Sequence, residues 1–312
     1  MKNKPILIVA GQPKSVFFEI FFKSLKLKKY KCPLILIASL KVLKSEIKKF
    51  NFNKNIRLVE LDVLKKYKFD NKKINLVNID KFKNSNSYIK KCFDVSFKIL
   101  KSGYTDKLIN GPIDKSKFLN KKYLGITEYI SKKTRSDNTA MLIYNNELSV
   151  CPLTTHLPIR LVPKKISQKL IFEKTNLINK FFINHVGFKP KIAVTGLNPH
   201  CESILKLNED KKIIYPAIKK LKKKGFKIFG PFSGDTIFLK QNREKYNVVL
   251  GMYHDQVLGP LKAIKEYNAI NITLGLPFLR ISPDHGPNEK MINQNSSSPL
   301  SLIKAIQFLD IR

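Results

Sequence analysis

Short runs of Ile, Leu, Val and Phe, separated by longer stretches with helical spacing, recur along most of this 312-residue chain. Each run suits a strand buried on both faces and each intervening stretch suits a crossover helix, so the pattern points to parallel β-α-β construction. Candidate strands are 6–10, 34–38, 56–61, 75–79, 108–110, 140–144, 148–152, 192–196, 227–230, 248–251 and 269–274. The clearest helices are 88–101 before Gly103, 168–184, and 211–224 before Gly225, where a glycine suits the left-handed residue that ends a helix. A last helix is expected over 300–309, with Ser298 as N-cap and Pro299 at the first helical position. The best place for a first domain crossing is 115–133.

Apolar residues make up 43% of the chain, enough for a sizeable core, but no run approaches the roughly 18 positions that a membrane span needs. The start, Met1 to Ala10, is basic and then briefly apolar before Gly11-Gln12-Pro13. That reads as a first strand rather than a secretory leader. Cys32, Cys92, Cys151 and Cys201 are scattered without a C-x-x-C pair, against both a disulfide framework and a thiolate zinc site. A cytoplasmic location and no membrane partner are therefore expected.

The formal net charge of +36 raises nucleic-acid binding as an alternative. It is the weaker reading because arginine, which grips phosphate and guanine bidentately, occurs only at positions 57, 135, 160, 243, 280 and 312. The charge is nearly all lysine, spread along the chain, so no specific nucleic-acid partner is expected.

Three histidines each follow a candidate strand: Thr154-Thr155-His156, Asn198-Pro199-His200 and Met252-Tyr253-His254-Asp255-Gln256. Strand ends of open parallel sheets are where ligands bind, because exposed loops stand there on a rigid base. Three neutral imidazoles with positions left open suit a catalytic divalent metal, with zinc the natural candidate and magnesium, cobalt or manganese the others. The separations alone carry no local metal signature, and three hydrogen-bonded structural histidines remain the competing reading. Asp255 and Asp235 can orient an imidazole or act as a base, or simply form turns. Lys262, Asn271 and Arg280 form a second group, an ammonium and a guanidinium suited to a phosphate ester. No G-x-G-x-x-G or P-loop sequence is present.

Gly111-Pro112-Ile113-Asp114-Lys115, Thr127-Glu128-Tyr129, Thr154 to Pro158, Gly196 to His200, Gly230-Pro231 with Asp235-Thr236, Met252 to Gln256, and Asn271 to Arg280 occur in an order that resembles the 4-hydroxythreonine-4-phosphate dehydrogenases of pyridoxal-phosphate (vitamin B6) biosynthesis. The resemblance implies a two-lobed α/β/α architecture like that of isocitrate and isopropylmalate dehydrogenases, with a cleft between lobes. It places the first lobe at 1–115 plus 296–312 and the second, with the metal ligands and a homodimer interface, at 116–295.

It further implies that His156, His200 and His254 hold the metal, His254 coming from the other subunit. Thr127, Lys262, Asn271 and Arg280 become substrate contacts, Asp235 and Lys262 the catalytic side chains, and His285 and Gly286 cofactor contacts. The implied reaction is oxidation of a secondary alcohol on a small phosphorylated substrate by NAD or NADP, followed by decarboxylation, with threonate or erythronate 4-phosphate as alternative substrates. Three segments depart from the family pattern. Gly11 to Glu19 lacks the usual acid and two glycines, Ile126 stands where a histidine is expected, and Pro287 to Asn293 replaces a Thr-Ala and a later Ala-Gly. These departures leave open a paralogue with impaired cofactor use.

Overall fold

The computed structural model describes residues 4–62, 64–66, 68–114, 118–119, 123–202, 208–283 and 286–312. The chain forms two compact units, Met1–Ile126 with Pro277–Arg312, and Thr127–Leu276. The first crossing thus falls inside the 115–133 window, eleven residues beyond the expected boundary at 115. The return comes at Pro277 rather than 296, because a strand unforeseen in the sequence belongs to the first unit.

In the first unit, β1 (Ile6–Val9), β2 (Leu34–Ala38), β3 (Ile56–Leu58), β4 (Ile74–Asn78) and β5 (Lys107–Asn110) are joined by the unforeseen β12 (Leu279–Pro283) in the order β3-β4-β2-β1-β5-β12. Every pairing among them is parallel. Strands β1, β2 and β5 are buried along their whole length, as expected where helices cover both faces. Helices α1 (Phe17–Leu27), α2 (Leu40–Lys49) and α3 (Ser85–Lys101) follow β1, β2 and β4. Helix α1 buries Phe17, Phe18, Phe21 and Phe22, and Phe22 stacks on Phe52 with ring centroids 4.3 Å apart. The start of α3 is fixed by a capping box in which Asn84 accepts from the Ser87 backbone N–H.

The second unit holds α4 (Ile126–Thr134, whose first residue ends the first unit), β6 (Ala140–Tyr144), β7 (Ser149–Thr154), α5 (Gln168–Phe181), β8 (Ile192–Thr195), α6 (Tyr215–Lys223), β9 (Ile228–Phe232), β10 (Val248–Tyr253), α7 (His254–Lys265) and β11 (Ile270–Leu274). Its strand order is β11-β6-β7-β10-β8-β9. The expected parallel construction holds for the other strand pairs of this unit but fails at β6, which runs antiparallel to both β7 and β11. The cause is local. Only residues 145–148 separate β6 from β7, and Asn145 folds them into a turn by accepting the Glu147 backbone N–H at 2.9 Å. A parallel partner would need a crossover of about a dozen residues. Met141, Ile143, Val150, Val249, Val257 and Leu261 meet in the core of this unit.

Helix α8 (Leu300–Asp310) closes the chain in the first unit. Pro299 is its N-cap, and Ser298 Oγ accepts the Leu300 N–H at 3.4 Å. The expected helix over 168–184 ends its regular turns at Phe181 and continues as a wider turn, Phe182–Val186, stopped by Gly187.

Gly275 ends β11 with φ +84°, and a Cβ there would lie 2.1 Å from the Asn138 carbonyl oxygen. Gly275→Ala must carry a left-handed backbone and displace a neighbouring main chain, so it should destabilise the second unit by about 2–4 kcal/mol. A lowered urea midpoint with an unchanged slope would show this.

Candidate active site

Strands β7 and β10 are parallel neighbours, with Tyr253 opposite Thr154. The residues just beyond them are therefore delivered side by side. His156 follows β7 in a left-handed conformation, φ 52°, while His254 is the first residue of α7. Their ring centroids are 5.9 Å apart. The resemblance assigned His254 to a partner subunit; within this chain its own His254 already lies beside His156.

Each ring is held at Nδ1 by a carboxylate. His156 Nδ1 is 3.3 Å from Glu128 Oε1, and His254 Nδ1 is 2.7 Å from Asp255 Oδ1. An ionised carboxylate only accepts, so a neutral imidazole bonded in this way carries its proton on Nδ1 and leaves the Nε2 lone pair for another partner. Two imidazoles prepared in this way fit a divalent cation. Burial works to raise the Glu128 carboxyl, but hydrogen bonds from His156, its own backbone N–H and Thr155 outweigh it, and the group sits below the ordinary carboxylate value.

His200 ends the loop after β8, also left-handed at φ 56° and exposed. Among the described residues, no set of three His, Cys, Asp or Glu side chains is gathered closely enough to hold a metal ion. The single chain therefore brings together His156 and His254, and His200 does not complete a triad with them. Asp235 is exposed, and the Ser233 hydroxyl 2.5 Å from its Oδ1 holds its carboxyl below the ordinary value, with a smaller contribution from His200.

The loop that carries His200 is fixed by a residue with no visible role in the sequence. Asp210, 1% exposed, accepts from the backbone N–H of Leu197 at 2.8 Å and of Asn198 at 3.2 Å, and from the Asn198 side chain at 2.8 Å. Gln256 fastens the same end of the strands: its Oε1 accepts from Thr195 and the Met252 N–H, and its Nε2 donates to the Gly196 carbonyl. The only hint of Asp210 in the sequence is an acid opening a lysine-rich helix. Gln256 was seen only as part of a motif.

Beside His156 lies a cavity of about 200 Å³ lined by Thr127, Glu128, Asp137, Thr139 and Lys174 among others. Burial pushes the Lys174 ammonium below its ordinary value, and it donates to the Thr139 carbonyl oxygen and Asn138. Thr127, an expected substrate contact, thus faces the same space as His156. Asn271, on β11, has a buried Oδ1 with no hydrogen-bond partner among the described residues, an acceptor ready for a ligand. Lys262, on α7, is partly buried, which lowers its ammonium from the ordinary 10.5.

In the first unit Arg280 is 2% exposed within β12 and donates through Nε to Asn110 Oδ1 at 2.7 Å. Gly286 is exposed. His285 lies outside the described residues, as does the expected boundary at Lys115. No described helix is long and apolar enough to cross a membrane.

An α/β fold with histidines at the ends of adjacent parallel strands suits an enzyme with a ligand site at those strand ends, and the comparisons with known proteins say which class it is. Residues 30–309 match the family model described as pyridoxal phosphate biosynthetic protein PdxA. The chain belongs to that family of oxidoreductases. It is 36% identical to a 4-hydroxythreonine-4-phosphate dehydrogenase from a Sulfurihydrogenibium species, over 97% of this chain and 96% of that one. It is 30% identical to a D-threonate 4-phosphate dehydrogenase from Salmonella typhimurium, over 92% of each. The crystal structure of 4-hydroxythreonine-4-phosphate dehydrogenase from Klebsiella pneumoniae superposes with a TM-score of 0.83 at 26% identity, covering 99% of this chain and 97% of that one. The resemblance read from the motifs is thereby borne out.

Asp210→Ala would remove the acceptor of two partly buried backbone N–H groups of the His200 loop and one of the two acceptors of the Asn198 amide, which keeps Glu209 at 3.1 Å. A stability loss of about 3 kcal/mol is expected, read as a lowered denaturant midpoint, with Asp210→Asn losing less.

Proposed function

We propose that this chain is a metal-dependent NAD(P) dehydrogenase that oxidises the secondary alcohol of 4-phosphohydroxy-L-threonine, with decarboxylation to 3-amino-2-oxopropyl phosphate, in pyridoxal 5'-phosphate biosynthesis. The observation that carries this reading is the His156–His254 pair, 5.9 Å apart with each Nδ1 on a carboxylate. Relatives with 4-hydroxythreonine-4-phosphate names and with D-threonate 4-phosphate names are similarly identical to this chain, at 32% and 33% for one of each, so D-threonate 4-phosphate stands as the alternative substrate.

His156, His200 and His254 would hold the divalent ion in the homodimer that the resemblance implies, the resemblance taking His254 from the other subunit. When bound, the ion supplies Lewis acidity at an alcohol or carbonyl oxygen, and the nicotinamide accepts hydride. The chain's own residues bind and orient. Lys262 and Arg280 are assigned to the negative charge of the phosphorylated substrate, and Thr127 and the unpaired Asn271 Oδ1 to its polar groups. Asp235, held ionised by Ser233, is assigned as the acceptor of a proton or of the substrate's ammonium.

A second reading, a paralogue with impaired cofactor use, is favoured by one feature. The altered segments fasten onto each other: Gln12 Nε2 donates to Glu289 at 3.1 Å, and the Val16 N–H donates to the Pro287 carbonyl at 3.2 Å. His285 and Gly286 are assigned to the cofactor on the resemblance alone.

Protein supplied with zinc, magnesium, cobalt or manganese should reduce NAD or NADP when given 4-phosphohydroxy-L-threonine, and faster than with D-threonate 4-phosphate. No reduction of either cofactor with any such substrate would contradict the reading, and calorimetry showing no nicotinamide binding would favour the paralogue. Because burial lowers the Lys262 ammonium, its charge is lost at a lower pH than that of an exposed lysine. KM should therefore climb as pH rises through that lowered value, before the ordinary 10.5. In Lys262→Met that limb should vanish, with KM already about 10- to 100-fold higher near neutral pH.

A further inference from the structure

We propose that Glu128 is the positioning residue of this site: it fixes the tautomer and direction of His156 so that Nε2 is presented to a divalent cation. The inference rests on the metal-dependent reading above and deepens it at one side chain.

Three observations carry it. Glu128 lies in the first turn of α4, and its Oε1 stands 3.3 Å from His156 Nδ1 and 3.4 Å from Thr155 Oγ1. One oxygen thus gathers the two donors that immediately follow β7. Its other oxygen, Oε2, is buried with no hydrogen-bond partner among the described residues, so no side chain beyond β7 is seen to draw the carboxylate away from His156 and Thr155. The backbone of His156 is left-handed, φ 52°, a conformation that a non-glycine residue keeps only where its surroundings enforce it.

The chemistry follows from what each atom can do. The carboxylate accepts the Nδ1 proton, which leaves the lone pair on Nε2, and its negative charge makes that nitrogen a stronger donor to a cation. His254 obtains the same arrangement from the residue next to it in the chain, Asp255. His156 has no acid beside it in sequence and takes one from 28 residues upstream. Holding that acid in place is a task for α4, in which Thr127, the residue before Glu128, lines the same cavity.

The test uses the full-length protein labelled with ¹⁵N-histidine, with the His156 signals assigned by their loss in His156→Gln. In metal-free wild type above neutral pH, His156 should show the Nδ1–H tautomer. Glu128→Gln, whose carbonyl still accepts, should keep it, whereas Glu128→Ala should shift toward Nε2–H while His254 stays unchanged. Zinc binding, measured by chelator competition, should weaken by about 10- to 100-fold in Glu128→Ala and by less in Glu128→Gln. An Nε2–H tautomer at His156 in wild type overturns the proposal whether or not the variants fold. So does a folded Glu128→Ala with wild-type tautomer and zinc affinity. If wild type shows the expected tautomer and its loss in Glu128→Ala but binds no zinc, the positioning role stands and the metal-dependent reading fails.

Discussion

The parallel register of β7 on β10, with Thr154 opposite Tyr253, is the constraint on which the site depends. Main-chain hydrogen bonds set that register, so the side chains just beyond the two strands are brought together without any pairing of their own. His156 is the second residue after β7 and His254 the first after β10. Gln256 then ties the ends of β8 and β10 to the loop after β8 through three hydrogen bonds. The loops are irregular, but what holds them is not, which is how a strand-end site combines access with precision.

Acids are scarce in this chain, 23 against 59 lysines and arginines, and in the second unit several are spent around the histidines. Glu128 and Asp255 each take an imidazole Nδ1, Asp210 fixes the His200 loop, and Asp235 lies within electrostatic reach of His200. The overwhelming positive charge therefore says little about function. The useful signal is where the few carboxylates are buried or paired, since a buried carboxylate is kept only if donors satisfy it.

Much of the fold was legible in the sequence because strands buried on both faces write themselves as short apolar runs. Leu34–Ala38 and Ala140–Tyr144 coincide with the runs read from sequence, and most others differ by one or two residues at an end. Strand β12 was hidden because Pro277 and Arg280 made its segment read as a turn and a ligand contact, although the arginine is buried in the strand. The direction of β6 was hidden because alternation of strands and helices does not report the four-residue turn at 145–148. The three histidines could be singled out because each follows a strand run. Glu128 and Asp210 could not be given roles, since their partners lie 28 and 12 to 13 residues away and only the folded register brings them within reach.

The most direct test of the account is an X-ray absorption spectrum at the zinc edge of protein loaded with one equivalent of zinc. The account predicts nitrogen neighbours at about 2.0–2.1 Å with the outer-shell scattering of at least two imidazole rings, reduced in both His156→Ala and His254→Ala. A spectrum of oxygen neighbours alone, unchanged by either substitution, would contradict it.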